Sequence, residues 1–364
     1  MKLQKIINIL EEMAPLAYAE DFDNVGLLVG NQEEEITGIL VCHDALESVI
    51  DEAISKKCNL VVCFHPILFS GLKKITGKDY VEKAVIKAIK NDIAIYAVHT
   101  ALDNHKNGVN KIFCDALGLI NTSILIPKQH FIQKLVTYTT PENATQLRTA
   151  LFEVGAGTIG NYDNCSFNSE GFSTYQGNEN SNPVVGKKGE LTQTEEIKIE
   201  VIFEKQLQSK MLKTLFSNHV YEEVAYEIYS LQNLHQNIGL GMIGELEKPL
   251  EEVAFLNFVK TKMQCGIIRH STLLNKKINK VAVLGGSGSF AIKNAIQSGA
   301  DIFLTADLKY HDFYQSENQI VLADIGHFES ERYTKNYIVD FLKEKITNFA
   351  VVLSEENTNP VKYL

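Results

Sequence analysis

No Cys-x-x-Cys pair occurs in this chain, and its six cysteines are scattered at positions 42, 58, 63, 114, 165 and 265. That usage excludes a cysteine-built zinc framework and reads as reduced thiols in a cytoplasmic protein. Basic charge is also scarce: 35 lysines and arginines face 45 acidic residues, for a net charge of −10. The balance speaks against bulk, sequence-independent nucleic-acid binding and leaves room only for a local basic groove. No apolar run approaches the ~18 residues of a membrane span. The N-terminal apolar stretch meets Glu11 and Glu12 too early for a signal peptide. No Gly-Lys-Ser/Thr phosphate loop is present, and no Ser-His-Asp or Cys-His set has a recognisable setting.

What is present is an ordinary globular balance, 45% hydrophobic and 22% charged over 364 residues, enough for about two or three domains. The organising stretch is Val321-Leu-Ala-Asp-Ile-Gly-His-Phe-Glu-Ser-Glu331. A short apolar run reads as a buried strand, broken by Asp324 and Gly326 and followed by a helical pattern. His327 and Glu331 stand four apart where that helix opens, so they share a face just beyond a strand end. An imidazole and a carboxylate there suit a metal, although a solvated His–Glu pair has the same spacing.

Earlier in the chain, residues 36–63 read strand, helix, strand, a parallel βαβ unit. His65-Pro66 follows the second strand directly. A helix over 81–91 leads to a strand over 93–98, which ends on His99 with Asp103 close behind. In open α/β sheets the carboxyl ends of strands are where ligands bind. Residues 280–305 repeat the βαβ order and run into Asp307 and His311. Gly285-Gly-Ser-Gly288 lacks the third glycine of a dinucleotide fingerprint and reads as a tight strand-to-helix turn, with amides free to hold an anion. Between them, residues 131–229 give β-α-β-β-α-β, a ferredoxin-like module whose ends must lie close together. Residues 171–189, rich in glycine, serine and asparagine, read as an exposed loop within it.

The predicted fold is therefore α/β: two similar α/β halves form one metal-binding core, 1–128 and 234–364, with an inserted ferredoxin-like α+β domain over 129–233. His65, His99, Asp103, Asp307, His311, His327 and Glu331 gather at strand ends. Nitrogen and carboxylate donors of this kind suit Zn²⁺, Mn²⁺, Fe²⁺ or Co²⁺, and a bridging carboxylate can hold two ions. Each member also has a plainer reading. His99 could be a core histidine, His311 a surface helix residue, and Asp103-Asn104 a cap.

Six motifs, in order along the chain, resemble the Nif-three-like family, also called the GTP cyclohydrolase 1 type 2 homologue family. They are Asp-Phe-Asp-Asn-Val-Gly-Leu (21–27), His-Pro-Ile-Leu-Phe (65–69), His-Thr-Ala-Leu-Asp-Asn (99–104), Gly-x-Gly-x-Ile-Gly (239–244), Ala-Asp-Leu-Lys-Tyr-His (306–311) and Asp-Ile-Gly-His-Phe-x-x-Glu (324–331). The middle segment resembles the PII/CutA-like insert of the longer members. The resemblance implies a metal site of one or two divalent ions in a homohexamer, with His65, Asp103, His327 and Glu331 as ligands and His311 lining the pocket. The family name implies hydrolytic opening of the GTP purine ring; on chemical grounds a metal-bound water could attack a carbon or phosphorus centre of a nucleotide or phosphorylated small molecule, with His311 or His99 moving protons. The contrasting reading is a non-catalytic metal-binding sensor, chaperone or scaffold signalling through the insert. One departure stands out: the family pattern has two histidines before the proline, and here the first is Phe64. A phenylalanine cannot bind metal, so one of two ion positions is expected to be weakened or rebuilt with water or another side chain.

Overall fold

The computed structural model describes residues 1–364. The chain divides into two compact units, one formed by Met1–Pro127 with Asn237–Leu364, the other by Lys128–Gln236.

The first unit holds two sheets. One has five strands in the order Gly26–Val29, Ala94–Ala97, Leu60–His65, Ile39–Asp44 and Val351–Leu353. The last four are parallel and the first is antiparallel. Their apolar runs are continuous because both faces are covered, as parallel sheets require. Ile39, Val41 and Val62 face helices Leu3–Met13 and Thr334–Lys345, while Leu40, Val61 and Cys63 face helices Glu47–Ser55 and Tyr80–Lys90.

The other sheet has six strands: Arg269–His270, Val321–Asp324, Ile302–Ala306, Lys277–Ser287, Gly239–Glu251 and Ile120–Pro127. The Lys277–Ser287, Ile302–Ala306 and Val321–Asp324 strands are parallel neighbours. The chain leaves the unit on Ile120–Pro127 and returns on Gly239–Glu251, which pairs with it antiparallel, Gly239 opposite Pro127. A β-carbon at Gly239 would lie 2.2 Å from the Ile126 carbonyl oxygen, so this strand approach needs glycine.

The second unit runs Ile132–Thr139, helix Pro141–Glu153, Ser166–Gln176, Leu191–Glu204, helix Gln208–Asn218 and Tyr226–Ser230. Its antiparallel sheet has the order 166–176, 191–204, 132–139, 226–230. Leu147, Leu151, Met211 and Leu215 cover one face over Leu135, Ile199 and Val201. The exposed loop expected over 171–189 begins only after Gln176. Gly171 pairs with Glu196 and Gln176 with Leu191 in an edge strand whose polar, mostly exposed side chains hide it from pattern reading.

No helix is long and apolar enough to cross a membrane.

Candidate metal centre

Strand Leu60–His65 is buried until its last residue. Register sets Asp44 beside His65 on the neighbouring strand. The His65 Nδ1–H donates to Asp44 Oδ1 at 2.8 Å, and Thr358 Oγ1 donates to the other Asp44 oxygen at 2.5 Å. The ring is thereby held with Nε2 towards Glu331, 3.3 Å from Oε2. Burial alone would lower the His65 pKa, but hydrogen bonds and charge from Asp44 and Glu331 outweigh it and raise it to about 10.

His327 and Glu331 lie on the short helix His327–Glu331, entered through Gly326 at φ +95° after strand Val321–Asp324. His327 Nδ1–H donates to Asp307 Oδ2 at 2.6 Å, and Nε2 stands 3.4 Å from Glu331 Oε2. Its pKa is about 8, because the charge of Glu331 and the bond to Asp307 exceed the opposing effect of burial. Gly285 and Gly286, inside strand Lys277–Ser287 where its pairing with Ile302–Ala306 shifts register, form the wall behind Glu331. Gly285 N–H donates to Asn110 Oδ1 at 3.0 Å and Gly286 N–H to Ser330 Oγ at 2.9 Å. The strand-to-helix turn expected over Gly285–Gly288 thus begins only at Gly288, because the strand continues through an irregular Gly285–Ser287 segment that shapes the site.

Asp103 ends the short helix His99–Asp103 and is half-buried, its inward Oδ1 shut off from solvent and lacking a hydrogen-bond partner. Burial and the charge of Glu331 push its pKa well above the usual carboxylate range. Glu331 shifts the opposite way: burial opposes its ionisation, but His327, His43 and His65 hold it well below its ordinary value. His99 sits beside the pair, its ring 5.2 Å from that of His65, and its Nδ1 is held by Asp23 Oδ1 at 2.8 Å. A cleft of about 400 Å³ opens on this cluster, lined by His43, His65, Arg269, Asp307, His327 and Tyr363 among others.

The donor set fits a divalent cation. Ligand atoms of His65, His327 and Glu331 lie within 4.8 Å of one another. Two ligands bound at ~2.05 Å to one tetrahedral ion stand ~3.3 Å apart, close to the 3.3 and 3.4 Å measured from Glu331 Oε2 to the two histidines. Each of these histidines places its other nitrogen on a carboxylate, the arrangement that orients metal-binding imidazoles. Asp103 Oδ1 is a buried oxygen without a hydrogen-bond partner, a cost of ~1–3 kcal/mol unless something positive meets it, and Glu331 Oε2 faces the Nε2 atoms of His43, His65 and His327 at 3.3–3.4 Å without a well-formed hydrogen bond to any of them.

The structure thus brings His65, His327 and Glu331 together, places half-buried Asp103 within their electrostatic reach and sets His99 alongside. It does not bring in His311, which is exposed on the turn Tyr310–Ser316 against Tyr310 and Tyr314 and does not line the cleft. Sequence reasoning missed Asp23 and Asp44, which orient His99 and His65. It also missed His43, only 3% exposed and 3.3 Å from Glu331 Oε2 through its Nε2. A histidine closing the buried run Ile39-Leu-Val-Cys was the available signal.

Fold and cluster together define an α/β protein with a candidate divalent-metal centre at the carboxyl ends of two sheets. A sequence model of the Duf34/NIF3 (NGG1p interacting factor 3) family matches residues 1–360. The chain belongs to that family. A Bacillus subtilis relative named GTP cyclohydrolase 1 type 2 homolog is 35% identical over 99% of this chain and 98% of its own length. One of the same name from Halalkalibacterium halodurans is 36% identical, covering 99% and 98%. Among solved structures, a Bacillus cereus protein related to NIF3 aligns with a TM-score of 0.85 at 35% identity, covering 100% of this chain and 99% of that one.

Proposed function

We propose that this chain is a metal-dependent hydrolase acting on a nucleotide or another phosphorylated small molecule, with His65, Asp103, His327 and Glu331 holding one or two divalent ions. The observation that carries the reading is the convergence of His65 and His327 on one buried carboxylate oxygen at 3.3 and 3.4 Å, each ring backed by its own aspartate. A divalent cation there would supply Lewis acidity towards a phosphoryl or carbonyl centre. His99, fixed by Asp23, is the imidazole positioned to move a proton beside it. Arg269 is the only lysine or arginine lining the cleft and offers the contact for an anionic substrate. The name shared by the relatives supports a purine nucleotide as the first substrate to try. We further infer a cytoplasmic homohexamer whose core consists of two similar α/β halves, with residues 129–233 as a ferredoxin-like, PII/CutA-like insert. Six unpaired cysteines, five of them buried, accord with a reducing compartment.

The test is metal analysis of the purified protein, followed by a nucleotide screen with Mn²⁺ or Zn²⁺. Bound metal that is lost in His327→Ala and Glu331→Gln, together with turnover, supports the reading; absence of metal sinks it. A second reading, a metal-binding sensor or scaffold, draws on a separate cavity of about 390 Å³ within Lys128–Gln236. Buried Tyr221 and Ser173 hydroxyls in that cavity lack hydrogen-bond partners. Removal of residues 130–232 separates the two readings. An enzyme core keeps its metal and turnover, whereas a sensor loses its response.

A further inference from the structure

Parallel pairing sets Cys42 beside Cys63 and Asp44 beside His65, so His43 and Phe64 fall side by side on one face of the sheet. Their ring centroids are 5.4 Å apart. This is the face of Ile39 and Val41, which the rest of the strand gives wholly to apolar packing. His43 is buried there against Phe64 and Phe328. Neither of its ring nitrogens has a hydrogen bond. Its Nε2 nevertheless lies 3.3 Å from Glu331 Oε2, a buried oxygen that also lacks a hydrogen-bond donor.

As a packing residue, this histidine is a poor choice. A buried donor or acceptor left unpaired costs ~1–3 kcal/mol, and leucine would fill the same face without that cost. As a ligand it is well placed. Its distance to Glu331 equals that of His65, and the same carboxylate oxygen serves both. Neighbouring strands lie only ~4.8 Å apart. An imidazole moved from position 64 to position 43 therefore starts one strand over and still leaves the sheet on the same face.

We propose that His43 is a metal ligand that takes the place of the imidazole missing at Phe64. It holds a second divalent cation beside the one engaged by His65 and His327, with Glu331 shared between them and Asp103 as the remaining donor. This rests on the metal centre proposed above. The two ions are not held equally. His65 and His327 each have a carboxylate behind Nδ1, whereas the Nδ1 of His43 has no partner. Loss of such a support typically weakens binding 10–100-fold, so a chelator should strip the second ion first.

The experiment is metal content per chain after loading with Zn²⁺ or Mn²⁺, with circular-dichroism melts as the folding control. The unmodified chain should hold two ions. His43→Leu and the more conservative His43→Gln should each hold one, and the double variant His43→Leu, Phe64→His should recover two. Unchanged content in both His43 variants overturns the inference and leaves the His65–His327–Glu331 centre standing. A double variant that stays at one ion overturns the exchange of roles between the two strands. No metal in the unmodified chain removes the reading on which the inference rests.

Discussion

Alanine in place of Gly286 probes whether packing fixes the shared carboxylate. Gly286 has φ +68°, and a β-carbon there would lie 2.5 Å from Glu331 Oε1 and 3.4 Å from His327 Nε2. The left-handed backbone costs an L-residue ~1–2 kcal/mol. The carboxylate oxygen would also have to retreat by about 0.7 Å or more to reach ordinary contact. Glu331 is buried at 3% exposure, so little space exists for that retreat. At ~2–4 °C per kcal/mol for a large domain, backbone strain alone should lower the melting temperature of the metal-free protein by about 2–8 °C. Ligand positions tolerate only ~0.2 Å of error in a metal site. A displacement of the size given above should therefore weaken metal binding at least ~10-fold, about 1.4 kcal/mol. Calorimetric titration with Zn²⁺, beside melts with and without chelator, reads both quantities. A variant that melts earlier yet binds metal with unchanged affinity would show that Glu331 is not a ligand, and the argument for the centre would fail.

Two further expectations follow from supporting groups. Asp44→Asn keeps shape but weakens the hold on His65 Nδ1; metal affinity should fall ~10–100-fold while the melting temperature of the metal-free chain changes little, and a titration showing no loss would remove Asp44 from the site. Away from the centre, backbone N–H groups of Lys78 and Thr76, with the Thr76 hydroxyl, lower the Glu82 pKa from 4.5 to about 2. A depressed carboxylate stabilises above its unfolded value and loses that contribution as pH falls through the folded one. Amide exchange at Thr76 and Lys78 should therefore accelerate as pH drops from about 4.5 towards 2, beyond its intrinsic pH dependence. In Glu82→Gln it should already be fast at neutral pH, and identical protection in the variant would refute the assignment.

The donors were legible because they follow local rules. His65 closes an apolar run before a proline, and His327 and Glu331 share a face by helical spacing. Their supports were not legible, because those depend on which residues meet across the fold. Asp44 reaches His65 through strand register, and Asp23 reaches His99 from a turn 76 residues earlier. The strand Gly239–Glu251 hid for a related reason. Its glycines weaken the pattern along the chain while allowing the close approach to Ile120–Pro127 that the sheet needs.

Phe64 carries this furthest. Read along the chain, it is a lost ligand, since position 64 is where the motif has its first histidine. Read across the sheet, the same face regains an imidazole at position 43, on the next strand and 3.3 Å from the same carboxylate. A site built at the ends of parallel strands is defined by a face and an edge, and any strand contributing to that face can furnish the donor. A substitution that erases one motif residue therefore does not by itself erase the site. The measurement that separates the two views is the metal content of the unmodified chain beside that of His43→Leu, because only a face-based site holds two ions with Phe64 in place and loses one when the histidine at position 43 is removed.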